Sequence, residues 1–443
     1  MEARVSALDS IRRPELGALS LSGYRRERIT EACFSVGPAL LEGGFIGVIA
    51  DKLYHVHPAV LALVTAAPMF GNLSSSFWAR RAHGHRRVPF ATLLMAGFAA
   101  CVAVVALVPE GAAGAWLLIG ALIAARLLLG GIVTLRSVVW TLNYPRDSRG
   151  RVTARLGVVS TLAMAATAWI GSQVLDQSPE SFRIVYAAGA VLAALGVYAF
   201  SRVPVVGEPD HLHAERESAG VERERGGVIA VLRDDGDFAR FMGWQMLLGF
   251  AAMMTEAPLL YLVSREMSAS YAESIGIMIT IPFALSVVAI PFWASYLDRV
   301  HVSSFRSVHS WVFALAQTLL WVGALWHSLW ILALARVVNG AARSGGGLDW
   351  NIGHNDFAPS ARAGLYMGVH VTLTGLRGSI APFLGMALYL GWNARAIPFT
   401  GLELPAWSGL GDTLLILSAV LSGIAALGFR SLKRRIERRA ASA

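Results

Sequence analysis

The sequence predicts an all-α membrane protein with twelve transmembrane helices arranged as two pseudo-symmetric six-helix bundles. Composition is the first reason. Apolar residues make up 55% of the 443-residue chain, charged residues only 15%, and the mean hydropathy is +0.54. Soluble domains carry roughly 25% charged residues. The second reason is the length of the apolar runs. A helix needs about 20 apolar residues to cross a bilayer, and continuous runs fit helices better than the alternating strands of a membrane barrel. The third is an internal repeat, set out below.

Residues 1–28 are basic and polar and read as a cytoplasmic tail, because they lack the short apolar core of a signal peptide. The first bundle, 29–202, carries spans at 29–51, 58–78, 90–108, 115–138, 153–175 and 183–202. A charged stretch with Gly and Pro at 203–237 reads as a cytoplasmic linker, with a short surface helix at "VIAVLRD". The second bundle, 238–429, carries spans at 238–262, 272–296, 306–326, 329–351, 364–390 and 409–429. A basic tail, 430–443, ends the chain.

Arginine placement sets the orientation. Arg12, Arg13, Arg25, Arg26 and Arg28 precede the first span; Arg80, Arg81, Arg86 and Arg87 follow the second, and Arg146, Arg149, Arg151 and Arg155 the fourth. Arg299, Arg306, Arg362 and the C-terminal arginines fall on the same side, whereas the opposite loops hold only Lys52, Arg265 and Arg395. Positive charge gathers on the cytoplasmic side of membrane proteins, so both termini are expected in the cytoplasm of a cell bounded by this inner, or plasma, membrane. The net charge of +9 is then a topology signal and gives no reason to expect nucleic acid. The two cysteines, Cys33 and Cys101, lie inside apolar runs and support neither a disulfide framework nor a cysteine metal site.

The repeat is carried by polar residues. Aligning Arg126 with Arg336 also aligns Gly130 with Gly340 and Trp140 with Trp350. One residue of gap later Arg151 meets Arg362, and "GVVSTL" meets "GVHVTL". Glu42 and Glu256 lie in the first spans of the two halves. With six helices, a charged linker and six more, the chain resembles the major facilitator superfamily. In that family the loop after the second helix often reads G-x-x-x-D-R-x-G-R-R. Here "FWARRAHGHRR" keeps Gly84, Arg86 and Arg87 but has Arg81 in place of the acid, and "ASYLDRVHVSS" keeps Asp298 and Arg299. The drug-antiporter motif G-P-x-x-G-G is missing from the fifth span, which favours uptake over drug efflux.

The resemblance implies that the first, fourth, seventh and tenth spans line a central path. Four mid-span charges, Glu42, Arg126, Glu256 and Arg336, fall on these helices, and Arg377 falls on the eleventh. Ionised groups at membrane depth face a protein interior or water rather than lipid. Glu42 and Glu256 are candidates to carry a coupling proton, since burial raises a carboxyl pKa. Arginine stays charged, so Arg126, Arg336 and Arg377 are candidates to bind an anionic group; alternatively Arg126–Glu42 and Arg336–Glu256 are ion pairs that break and re-form between states, or Arg126 and Arg336 tie neighbouring helices through backbone carbonyls. His370, membrane-embedded near Arg377, joins them as a substrate-contacting or protonatable candidate. Arg343, Asp349, Asp298 and Arg299 are read as a cytoplasmic gate. Asp349, His354 and Asp356 have the residue types of a metal site, but a helix-end network uses the same ones. The pairs His55 with His57, His83 with His85, and His211 with His213 lie outside the spans.

The expected function is secondary active transport of a small anionic organic solute by alternating access, coupled to protons. The alternatives are a non-transporting sensor or assembly factor on the same fold, or an efflux antiporter. The expected partners are the solute, H+ and the lipid bilayer, with no cofactor, no metal and a monomeric state. No HExxH, G-x-S-x-G or phosphate-loop sequence points to an enzyme.

Overall fold

Each apolar run becomes a helix, and the polar residues inside the runs decide where helices break. The structure is a computed structural model that describes residues 17–217, 228–359, 362–396 and 403–442. The first span consists of α1 (Ala18–Phe34), α2 (Val36–Leu40) and α3 (Gly43–Lys52), interrupted at Leu41–Glu42. Then follow α4 (Pro58–Ala82), α5 (Arg87–Ala106), α6 (Gly111–Asn143), α7 (Arg146–Gln177) and α8 (Phe182–Ser201). The linker forms α9 (Glu208–Glu217) and α10 (Val228–Asp234), the second being the short helix expected from its sequence.

In the second half, α11 (Gly236–Met254) and α12 (Glu256–Tyr261) make one span that ends in a π-helical turn, Leu262–Glu266. Next come α13 (Tyr271–Ile275), a π-helical turn at Gly276–Thr280, and α14 (Ile281–Leu297). The last helices are α15 (Val302–Leu325), α16 (Leu329–Ile352), α17 (Ala363–Leu390) and α18 (Thr413–Ser442). A two-residue strand pair, Arg395–Ala396 with Glu403–Leu404, lies between α17 and α18.

Among the described residues, 11 helices are long and apolar enough to cross a membrane. The 24-residue α16 matches them in length but carries Arg336, Arg343 and Asp349. This agrees with the twelve-span reading. Two helices outrun the hydropathy signal. Helix α1 starts at Ala18 rather than 29, because Arg25, Arg26, Glu27 and Arg28 dilute the apolar character of a stretch that is nonetheless helical. Helix α18 runs to Ser442 because "RSLKRRIERRAAS" is rich in good helix formers. Residues 18–28 and 430–442 therefore extend helices rather than forming irregular tails.

The chain packs as two compact units, Met1–Glu42 with Phe70–Arg225, and Gly43–Met69 with Gly226–Ala443. In the first unit Gly130 of α6 faces the backbone carbonyl of Gly71 in α4, and no Cβ fits between them. In the second unit Gly340 of α16 faces the carbonyl of Pro282 in α14, where a Cβ would lie 2.6 Å away. The two glycines aligned by the repeat thus make the same close helix crossing. The Arg-rich loop after α4 finds its acids on α9. Arg86 bonds Glu208 at 3.0 Å, Arg87 bonds Glu215, and the Gly84 N–H donates to Glu215 at 2.9 Å. Burial would raise the Glu215 carboxyl, but the Gly84 hydrogen bond and the charges of Arg87 and His211 outweigh it and hold it below the ordinary value. The linker thereby supplies acids to the loop whose own acid position holds Arg81.

In the second unit, α3 packs against the end of the seventh span. Asp51 accepts from Arg265 and Ser264, and the Lys52 ammonium donates to the Ser264 carbonyl at 3.1 Å. Of the three basic residues read onto the side opposite the arginine clusters, two are engaged here. The apolar core of this unit is aromatic, with Phe238, Phe241, Phe305 and Phe429 fully buried and Trp293 nearly so.

Candidate functional site

Arg126 is fixed by the break in the first span. Its guanidinium donates to the Leu41 carbonyl at 2.5 Å and to the Glu42 carboxylate at 2.7 Å. The arginine is buried while the Glu42 side chain stays 20% exposed. The pair joins α6 to the interruption between α2 and α3. Tyr186 braces the same region from α8, donating to the Leu40 carbonyl at 2.6 Å.

Arg336 does related work by a different route. The π-helical turn Gly276–Thr280 shifts the hydrogen-bond register just before Pro282, which has no N–H to donate back to that turn. Arg336 donates into the turn, through Nε to Ile277 at 3.0 Å and through its terminal nitrogen to Met278 at 2.9 Å. It also reaches Glu256 at 3.2 Å, and the Glu256 side chain is 33% exposed. Glu256 opens α12 just after the break at Thr255, where Pro258 cannot continue the hydrogen bonding of α11. Each half therefore holds one Glu–Arg pair at a discontinuity of its first span. The carboxylates are partly exposed and the guanidiniums are buried.

A larger buried network lies within the second unit. Asp349 of α16 accepts from Arg306 of α15 and from the Gln245 side chain at 3.2 Å. The Gln245 backbone carbonyl accepts from Arg377 of α17. The Arg377 guanidinium lies flat on α11 at Gly249, where any Cβ would collide with it. Arg306 also donates to His309 Nδ1 at 3.1 Å, and His309 Nε2 reaches the Ala342 carbonyl at 2.7 Å. A carbonyl can only accept and Arg can only donate, so His309 is the neutral Nε2–H tautomer. On α17, His370, Thr374 and Arg377 form a buried stripe at i, i+4 and i+7. Neither ring nitrogen of His370, nor Thr374 Oγ1, nor Arg377 Nε has a partner among the described residues. The His370 ring stands edge-on to Trp350, 5.9 Å away.

The first unit contains a second buried network. Arg136 of α6 bonds Glu31 and reaches Glu27 at 3.3 Å, both on α1. Trp140 Nε1 and the Tyr144 hydroxyl, the latter at 2.9 Å, also donate to Glu27. Ser35 donates to Glu31 at 3.3 Å and contacts Ser160 of α7 at 2.7 Å. The sequence marks none of these as a site candidate: the hydropathy boundary puts Glu27 in the tail, and Glu31 and Arg136 sit at the ends of the first and fourth spans rather than at mid-depth. A usable signal was present in the i, i+4 spacing of Glu27 and Glu31, which sets both on one helix face.

The residues expected to form a gate separate. Asp349 goes to Arg306 and Gln245, while the Arg343 guanidinium lies 4.9 Å over the Phe283 ring. Asp298 and Arg299 line a surface groove with Asp356, whose carboxylate caps α15 at the Val302 N–H, 2.7 Å away. His354 is held below its ordinary pKa by burial. At Gly345, in the triple glycine, a Cβ would lie 2.6 Å from the His309 ring, which makes it a close-packing position. Among the described residues no group of three or more His, Cys, Asp or Glu is arranged to hold a metal ion. His57 caps the start of α4 through the Ala59 N–H at 3.2 Å, His85 contacts the His83 carbonyl at 3.0 Å, and His211 reaches Glu215 at 3.2 Å.

Long apolar helices, broken at Glu–Arg pairs whose arginines are buried, make this a multi-pass membrane protein. The chain belongs to the major facilitator superfamily, whose family model matches residues 33–274. No curated protein matches it in sequence. Solved structures match its fold. A point variant of the nucleoside transporter NupG is 13% identical with a TM-score of 0.69, covering 94% of this chain and 99% of that one. A D-xylose–proton symporter is also 13% identical, with a TM-score of 0.67 and coverage of 93% and 97%. A POT family transporter solved with 5-aminolevulinic acid is 12% identical, with a TM-score of 0.66 and coverage of 97% and 100%.

Proposed function

We propose that this secondary transporter moves a small organic solute carrying negative charge, by alternating access, with protons exchanged at Glu42 and Glu256. The anionic part rests on one observation, the charge balance around Arg377. Two guanidiniums, Arg306 and Arg377, answer to one carboxylate, Asp349, inside a buried network. Buried polar atoms nearly always have partners. Here His370, Thr374 and the Nε of Arg377 present donors and acceptors that no group among the described residues uses. A carboxylate or phosphate offers the acceptors and the charge that such a set lacks.

The proton part is supported by the partly exposed state of Glu42 and Glu256 beside arginines that cannot lose their protons. One of the solved structures of this fold is a proton symporter. We take the Arg-rich ends of the helices as cytoplasmic, following the positive-inside bias.

The experiment begins with a thermal-shift screen of metabolite anions on purified protein, followed by binding measurements on Arg377→Gln. Loss of a charged hydrogen bond is worth ~1.5–3 kcal/mol, so affinity is expected to fall roughly 10- to 100-fold. An unchanged affinity, or a screen that yields only cationic or neutral ligands, overturns the anionic reading.

A further inference from the structure

We propose that α18 and α11 form a binding groove for an anionic phospholipid, at the end of the second unit where the arginines gather. This site is independent of the solute and the proton. It is an open groove lined by six arginines, five of them on the last turns of α18, among them Arg430, Arg434 and Arg438. The other three, Arg240, Arg435 and Arg439, are engaged by Asp237, at 3.3 Å from Arg240 and 2.9 Å from Arg435. Asp237 thus holds one wall of the groove together. Arg430, Arg434 and Arg438 make no ion pair among the described residues, and all three are exposed. Their i, i+4, i+8 spacing stacks them along one face of the helix, about 6 Å apart.

The floor of the groove is apolar. Trp244, Leu247 and Leu427 line it on the side that leads into the spanning parts of α11 and α18. Trp244 lies flat on α18 at Gly428, where any Cβ would strike its ring. Leu427 is 54% exposed. Guanidiniums beyond the apolar span and an exposed apolar wall within it match the two parts of a phospholipid. The phosphate meets the free arginines, and an acyl chain lies along Leu427 and Leu247. Basic clusters at membrane-helix ends attract anionic lipid by ~1 kcal/mol per residue. A general excess of arginine explains attraction to a negative surface. It does not explain a concave site with an apolar floor and three unpaired guanidiniums in register.

The test is native mass spectrometry of the full-length protein with phosphatidylglycerol or phosphatidylcholine added in equal amounts. The parent is expected to retain phosphatidylglycerol and release phosphatidylcholine. Arg430→Gln/Arg434→Gln/Arg438→Gln is expected to bind phosphatidylglycerol roughly tenfold or more weakly. A control, Arg80→Gln/Arg81→Gln/Arg151→Gln, removes the same charge from the exposed ends of α4 and α7 and is expected to bind as the parent does. Leu427→Gln is expected to weaken binding while leaving every arginine in place. Equal losses in the groove variant and the control overturn the proposal, as does displacement of the lipid by millimolar inorganic phosphate alone. Thermal unfolding of each variant without lipid reports whether it is folded, and a misfolded triple variant leaves the Leu427→Gln comparison to decide.

Discussion

Arg136→Leu is expected to be the most damaging single substitution in the first unit. It leaves Glu27, fully buried, and Glu31, nearly so, with no cation beside them. Removing one partner of a buried ion pair costs about 3–5 kcal/mol, because the other charge stays buried without compensation. The variant should lose most of its folded yield in detergent, or melt far below the parent. A triple variant, Glu27→Gln/Glu31→Gln/Arg136→Leu, removes all three charges and keeps acceptors for Trp140 and Tyr144. Replacing a whole buried ionic group is often close to neutral, so it should recover much of the loss. A single variant as stable as the parent, or a triple variant no better than the single, would show that the network is not what holds α1 to α6.

The second large effect is expected at the glycine crossings. A leucine at 130 would drive its Cβ into the Gly71 carbonyl and to within 2.6 Å of the Ser74 hydroxyl. A leucine at 340 meets the Pro282 carbonyl and, at 3.0 Å, the Leu285 side chain. Backbone cannot yield as a side-chain tip can, so each should cost at least the ~1–3 kcal/mol typical of overpacking. Gly364→Leu is the comparison, since nothing lies within 4 Å of a Cβ there. Thermal unfolding in detergent should rank Gly364→Leu near the parent and the other two well below it. Similar melting of all three would remove the packing role given to the repeat.

The helices were legible in the sequence, because each long apolar run has the length and composition that a bilayer-spanning helix needs. The repeat was legible too. Arg126 with Arg336 and Gly130 with Gly340 occupy matching places in their units. The sequence offered Glu42 as a partner for Arg126 and Glu256 for Arg336, and both pairs form; it did not reveal the partners beyond them. Arg336 bonds two carbonyls of the π-helical turn before Pro282, and nothing in the spacing between the tenth span and the eighth announces that contact. Asp349 lies six residues from Arg343 along α16 but pairs with Arg306 across the bundle. The Glu27–Glu31–Arg136 network stays hidden in the sequence because averaged hydropathy puts Glu27 in the tail and leaves Glu31 and Arg136 at the ends of the first and fourth spans, without a visible partner. Gly249 carried no signal at all, since only the packing of Arg377 on α11 shows why it lacks a side chain.

The most direct test of proton exchange at Glu42 and Glu256 is proton movement in proteoliposomes carrying a pH-sensitive dye. The solute is the best anion from the thermal-shift screen, offered with and without an imposed pH gradient. The parent should concentrate it along the proton gradient and shift the internal pH as it does so. Glu42→Gln and Glu256→Gln keep the acceptor that each arginine uses but cannot exchange a proton in this range. The double variant should equilibrate the solute without concentrating it and without a dye signal. Accumulation by the double variant as strong as the parent's, with the same pH change, would contradict the assignment of the coupling proton to these two carboxylates.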